Sequence, residues 1–222
     1  VSGENSEGFL NKVLSNNILE VKNNCAIYTL LCNEIGGIID DLILYKIDNY
    51  FILIVNASNK EKDLSWLKHY SPDSVTIEDE SDETSLIAVQ GPNSRKKLEE
   101  IFQFNLGDLK FYACKRINYA DSDIFIARTG YTGELGFEIL GNSNIVNKMW
   151  EVMIDSGIDP SGLAVRDVLR IEMGYCLYGH EIDESRNAID AGLSWILDKK
   201  SDFIGKKTIF DKRYICRRKS RG

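Results

Sequence analysis

Apolar residues along this chain switch between a helical period and strand-like alternation, and the switches outline the elements. Phe9, Leu10, Val13 and Leu14 fall at helical spacing and predict a short amphipathic helix over 6–16. Residues 25–33 are rich in β-formers and predict a strand. Gly36-Gly37 supplies a turn, and 38–47 reads as the partner strand of a hairpin. A third strand over 50–56 carries a near-continuous apolar run, which predicts burial on both faces. Leu64, Trp66 and Leu67 mark a helix over 60–69, and 75–78 reads as another strand. Further on, helices are predicted over 145–155, closed by Gly157 and Pro160, and over 163–173.

The plan repeats. V-S-G-E-N-S before the first helix (1–6) matches V-Q-G-P-N-S before a second (89–94), and Leu10 and Leu14 have counterparts in Leu98 and Phe102. So short a match also arises by chance, and at this stage both readings stand. Strands, hairpins and helices in this order predict an α+β fold of two related antiparallel-sheet-plus-helix layers, with a ligand cleft between them. The expected division is a ferredoxin-like α+β subdomain over 1–85, a second over 86–197, and a linker over 198–222.

Composition is ordinary for a globular chain of 222 residues, and no run approaches the ~18 apolar residues of a membrane span. The net charge of −7 is unevenly spread. Residues 198–222 hold ten Lys or Arg against three Asp, so the rest of the chain is strongly acidic. An acidic body argues against a nucleic-acid scaffold. The basic end reads as a solvated linker in preference to a docking strip for an acidic partner. Five cysteines without a C-x-x-C argue against a disulfide framework or a zinc site, and only two histidines are present. The cysteines read as small core residues in a reducing compartment. The opening residues look like the middle of a domain and lack an initiating Met, so the chain reads as a fragment.

Candidate chemistry concentrates in a few places. R-T-G-Y-T-G-E-L-G-F-E-I (128–139) spaces three glycines three apart, then alternates as a strand that sets Glu138 opposite Phe137 and Ile139. Such glycines fit a sharp turn or a close approach to a flat ligand, and a carboxylate fixed beyond them suits paired N–H donors. Taken alone, the stretch is a hairpin with one satisfied acid. Asp40 and Asp41 interrupt an apolar strand, where Asp is disfavoured, so one must face a core or cleft. Tyr28, Tyr45 and Asn56 make one pocket wall with them, although tyrosines are also ordinary sheet residues. Arg166 and Arg170 share a helix face and call for anions to meet them. No nucleophile elbow, phosphate loop or dinucleotide fingerprint occurs. What remains is an acid–aromatic–arginine site for positioning and proton transfer.

Six blocks, in order along nearly the whole chain, resemble the T-protein family of the glycine cleavage system, tetrahydrofolate-dependent aminomethyltransferases. They are G-G-I-I-D-D-L-I-L-Y (36–45), V-N-A-S-N-K-E-K-D (55–63), A-V-Q-G-P-N (88–93), the glycine block (128–139), G-L-A-V-R-D-V-L-R-I-E-M-G-Y-C-L-Y-G-H-E-I-D-E (162–184), and G-L-S-W with D-F-I-G-K (192–195, 202–206). The resemblance implies that family's folate-binding fold, with Asp41 near the bridging amine nitrogen of folate. It implies Glu138 as the pterin-binding carboxylate and Arg166 as a site arginine. Tyr28, Tyr45, Asn56, Tyr112, Tyr131 and Trp195 would line the folate cleft. Tetrahydrofolate is the implied co-substrate, with no metal, and the lipoyl group comes from a partner, the H-protein. The P- and L-proteins would be indirect partners, with no nucleic acid or membrane involved. Bacterial cytoplasm and mitochondrial matrix both suit the cysteines. The family's N-terminal segment and C-terminal β-barrel domain are expected to be missing.

Folate-dependent demethylases, and the folate domains of sarcosine or dimethylglycine dehydrogenases, would use the same cleft. A non-catalytic folate-binding protein of iron–sulfur assembly would carry a K-G-C-Y-x-G-Q/E-like motif. Here the comparable place reads Y-C-L-Y-G-H-E, with Cys176 offset. A truncated, inactive copy is the last alternative.

Overall fold

A computed structural model describes residues 1–211 and divides the chain into two units. The first comprises Val1–Glu78 together with the chain from Cys176 onward, and the second is Asp79–Tyr175. These divisions replace the expected ones at 85/86 and 197/198. Repeat matching finds where a motif recurs, but not that the chain returns to its first unit afterwards.

In the first unit, helix α1 (Ser6–Val13) precedes strands β1 (Cys25–Cys32), β2 (Ile38–Ile47) and β3 (Tyr50–Ile54), and helix α2 (Lys60–Tyr70) follows. The strands form an antiparallel meander in the order β1-β2-β3. Side chains alternate across it. Leu31, Leu42, Leu44 and Phe51 pack with Leu10 of α1, Leu14 just after it and Leu67 of α2. On the opposite side Leu30, Cys32 and Ile38 pack with Ile182, Leu193, Ile196, Phe203 and Ile209. Both faces of β2 are therefore covered, which explains its long apolar run. β3 does not follow suit. It lies at the edge, and only Phe51 in it is buried. The run of apolar residues misleads there, because an edge strand of β-formers reads like a central one. Residues 75–78 form no strand; Thr76 makes a single antiparallel bridge to Ser2, which also bridges Tyr50.

The second unit runs β4 (Thr84–Gln90), α3 (Ser94–Phe102), β5 (Cys114–Tyr119), β6 (Ser122–Ala127), β7 (Gly136–Asn142), α4 (Ser143–Asp155) and α5 (Leu163–Glu172). Its sheet order is β4-β7-β6-β5. Val89, Ile124, Ile126, Phe137 and Ile139 pack with Leu98 and Phe102 of α3 and Met149 and Met153 of α4.

The two units share a topology. Each unit has an extended start, a helix and a three-strand meander, and the start pairs with the meander's last strand: Ser2 with Tyr50, and β4 with β7. The matched motifs fold alike in detail. Gly3 and Gly91 take φ of 113° and 115°, and their carbonyls accept from Ser6 N (3.1 Å) and Ser94 N (3.0 Å). Leu10 and Leu98 are both fully buried. A meander where a ferredoxin-like plan needs a second crossover helix makes this topology different from the ferredoxin-like one expected.

Residues 198–211 are not a linker. Asp198 N donates to Ser15 O (2.8 Å) and Ile204 N to Lys12 O (3.0 Å), and a last short helix, α6 (Lys206–Ile209), adds Ile209 to the core. The rest of the basic end, with Cys216, lies outside the described residues. Cys25 and Cys32 are free thiols. Burial pushes the Cys32 thiol up to about 12, so it acts as an inert core residue. Among the described residues no helix is long and apolar enough to cross a membrane.

The glycine block has an internal explanation. Gln90 ends β4, and its Nε2 donates to Thr129 O (3.2 Å) and Phe137 O (3.3 Å) while its Oε1 accepts from Thr132 Oγ1 (2.9 Å). A Cβ at Gly130 or Gly136 would fall within 3.0 Å of that carboxamide, and one at Gly133 within 3.0 Å of the Met173 side chain. The space expected for a flat ligand is filled by protein at all three positions. Gly136→Ala is therefore predicted to lower stability by about 1–3 kcal/mol through overpacking. Thermal unfolding of the single and double variants with Gln90→Ser should show a combined loss smaller than the sum. Strictly additive losses would mean that Gln90 does not set the space at Gly136.

Candidate functional site

Each unit gathers its own group of the residues singled out above. In the first unit adjacent aspartates face opposite ways. Asp41 pairs with Leu30 and shares the sheet face of Tyr28 and Tyr45; Asp40 pairs with Leu31 and faces the helix layer. Asn56, just past β3, joins them. Its Nδ2 donates to Asp40 Oδ1 (2.9 Å), Asp41 Oδ1 (2.9 Å) and Asp41 O (3.2 Å), and its N–H donates to Asp40 Oδ2 (3.0 Å). Two amide hydrogens serve three acceptors, so one bond is shared. The second oxygen of Asp41 accepts from Tyr28 Oη (2.9 Å). Both carboxylate oxygens of Asp41 are thus pinned, and its rotamer is fixed.

Electrostatics leave Asp41 poised. Burial raises its pKa to about 6; the nearby Asp40 charge adds to this, and the hydrogen bonds from Tyr28 and Asn56 oppose it. The Tyr28 ring lies 6.0 Å from that of Trp195, centroid to centroid. Trp195 is 70% exposed, so this aromatic face is open to a flat partner. Tyr45 is buried in the sheet between Ala26 and Ile52, and so serves the sheet itself as well as lying on Asp41's face.

In the second unit Glu138 sits on β7, flanked by Ala88 of β4 and Ala127 of β6. These small neighbours leave its carboxylate room. Buried Thr129 donates its hydroxyl to Glu138 Oε2, which orients the group and leaves acceptor capacity on it. Tyr112 is held at φ 61°, its N–H donating to Arg128 O (3.1 Å). A bulky residue in that left-handed region is locally strained, so the surrounding turn fixes where its ring goes. Burial pushes its hydroxyl up to about 12, with Tyr175 and Glu138 adding to the rise.

The two arginines of α5 divide their work. Arg170 is buried, with Nε donating to Asp167 Oδ1 (2.7 Å) and a terminal nitrogen to Tyr175 O (3.1 Å). Arg166 places its guanidinium 4.6 Å from the Tyr131 ring centroid, and Tyr131 stacks on Tyr175 at 5.6 Å. A cation over an aromatic face fixes both groups without an anion. Arg166, Tyr131 and Tyr175 thus form one stacked group, and Tyr175 and Glu138 both act on Tyr112.

Three residues escaped the sequence reading. Thr129 lies inside the glycine block but is masked by its more conspicuous neighbours. Asn59 and Asp63 lie inside the 55–63 block and are buried, Asn59 at the start of α2 and Asp63 in its first turn. The available signal was spacing: Asn59, Asp63 and Leu67 occur at four-residue intervals, so polar residues begin a helix face that ends apolar. Among the described residues no group of three or more His, Cys, Asp or Glu is arranged to hold a metal ion.

Comparison with known proteins supplies the family. The GCVT N-terminal domain matches residues 1–201. An aminomethyltransferase of Chloroherpeton thalassium is 43% identical over 220 residues, covering 96% of this chain and 61% of that protein. One from Halothermothrix orenii is 40% identical over 215 residues, covering 94% and 60%. The crystal structure of glycine cleavage system aminomethyltransferase T from Bartonella henselae superposes with a TM-score of 0.85 at 32% identity, over 96% of this chain and 59% of that one. The chain thus spans about 60% of the length of these relatives. With the matching domain running through both units, the chain belongs to the GCVT N-terminal domain family.

Proposed function

We propose that this chain provides the folate-binding part of a tetrahydrofolate-dependent aminomethyltransferase of the glycine cleavage system. The observation that carries the reading is the clasp on Asp41: a carboxylate held on both oxygens, with a pKa near neutrality, beside an open aromatic face. In the reaction a lipoylated carrier, the H-protein, presents an aminomethyl group. Its carbon loses its bonds to nitrogen, which leaves as ammonia, and to the lipoyl sulfur, which stays on the carrier as a thiol, and it passes to two nitrogens of tetrahydrofolate as the methylene derivative. Asp41 in its ionised form accepts from the folate amine and so orients and polarises it, with water sharing the proton traffic. Glu138 accepts from the adjacent ring N–H and amino group of the pterin, a paired interaction suited to one carboxylate. Tyr28 and Trp195 suit the aminobenzoyl portion, and Arg166 with Tyr131 and Tyr112 frames the Glu138 side. A bacterial cytoplasmic setting accords with the bacterial sources of the relatives above.

Three outcomes test this, each in a full-length protein. Asp41→Ala should reduce folate-dependent ammonia release from aminomethylated carrier by about 100- to 10,000-fold, with tetrahydrofolate affinity less affected. Equal losses in turnover and affinity would make Asp41 a binding residue only. The turnover profile should rise with pH through the region of the Asp41 pKa, about 6, because the ionised form is the working one. Tyr28→Phe removes a hydrogen bond that stabilises that charged form, so the acid limb should move to higher pH; an unmoved limb would detach the profile from Asp41. Glu138→Gln should weaken tetrahydrofolate binding on the order of tenfold, because an amide cannot accept from both donors. Titration calorimetry reads this directly, and an unchanged Kd would take Glu138 out of the pterin site.

A further inference from the structure

Behind Asp41, on the helix side of the first sheet, lies an arrangement that the proposed reaction does not explain. Asp63 projects from α2 and is 1% exposed, and the neighbouring Asp40 is fully buried. Asp40 is well supplied: Oδ1 accepts from Asn56 Nδ2 (2.9 Å) and Asn59 Nδ2 (2.5 Å), and Oδ2 from Asn56 N (3.0 Å). Asp63 has nothing comparable, for neither of its carboxylate oxygens meets a donor. The group it faces is the Asp40 carboxyl. Two ionised carboxylates would leave acceptor against acceptor in a buried place, a costly arrangement. One proton between them removes the conflict and turns Asp63 into a donor.

We propose that Asp63 is a positioning residue: it shares one proton with Asp40, and this bond holds Asp40 against Asn56, whose amide in turn orients Asp41. This rests on the reading of Asp41 as the working carboxylate. The charge balance agrees with the geometry. Burial, then the hydrogen bond and charge of Asp40, push the Asp63 carboxyl up to about 9; Asp41 adds to the rise, and Lys62 on the same helix opposes it. Asp40 and Asp41 of β2 and Lys62 of α2 are the charged groups acting on it. At neutral pH the proton is therefore on the pair.

The consequence for stability has a definite sign. A carboxyl whose folded pKa lies above its unfolded value contributes stability that is complete below about 3.8 and is lost as pH rises towards about 9. Asp63→Asn supplies permanent N–H donors to Asp40 and cannot titrate, whereas Asp63→Leu fills similar space without a donor. Chemical unfolding of the full chain between pH 5 and 9 should show stability falling with pH more steeply in the wild type than in Asp63→Asn. The side-chain amide resonances of Asn56 should stay in place in Asp63→Asn and shift in Asp63→Leu.

In a full-length protein, Asp63→Asn should keep turnover within about threefold of wild type. Asp63→Leu should lower kcat on the order of tenfold or more, with a smaller effect on the folate KM. Parallel stability profiles for wild type and Asp63→Asn, or Asn56 resonances that Asp63→Leu leaves unmoved, would overturn the proposal. An inactive wild-type protein would instead sink the transferase reading and leave the stability and resonance measurements to decide this one.

Discussion

Everything proposed for the first unit depends on how one side-chain amide divides itself between two carboxylates. Successive strand residues point to opposite faces, so Asp40 and Asp41 cannot act together unless something reaches both. Asn56 does so from just beyond the edge strand, touching Asp40 on the helix side and Asp41 on the other. The bond from Tyr28 completes the clasp. A carboxylate held in this way loses rotamer freedom before any ligand arrives, so less ordering is left for binding. Burial raises its pKa to about 6, and the same hydrogen bonds hold that rise in check.

The two units share a topology but place their acids differently. Asp41 lies on the central strand of a sheet covered on both faces, within a polar network that spans the strand. Glu138 lies on a strand with one pairing neighbour on each side, between alanines, and depends on a single oriented hydroxyl. The same framework thus carries a different local chemistry in each half, and the Gly3 and Gly91 turns are a point where the two units match in backbone detail.

Much of this was legible from residue order alone. The Gly36-Gly37 hairpin and the span of β2 followed from turn chemistry and alternation, and helices α1, α2, α4 and α5 fell near their expected ranges, because local signals determine such features. What could not be read depends on distant partners. β3 is half-exposed because it lies at an edge, which its composition does not state. The glycines of 128–139 looked like space for a ligand, but Gly130 and Gly136 make room for Gln90, some forty residues earlier in the chain, and Gly133 for Met173. Asp41 and Glu138 stood out because acids are unusual in apolar strands. Asp63 did not, because an acid on a helix is unremarkable until its inward face and its neighbour are known.

The discontinuity of the first unit imposes an order on how the protein is made. Leu30, Cys32 and Ile38, on the sheet face that carries Asp41, pack against residues supplied only after position 175. On a ribosome the second unit is complete while that face still lacks its cover. The nascent chain therefore exposes a bare apolar surface until those later residues emerge, the situation in which a chaperone is most useful.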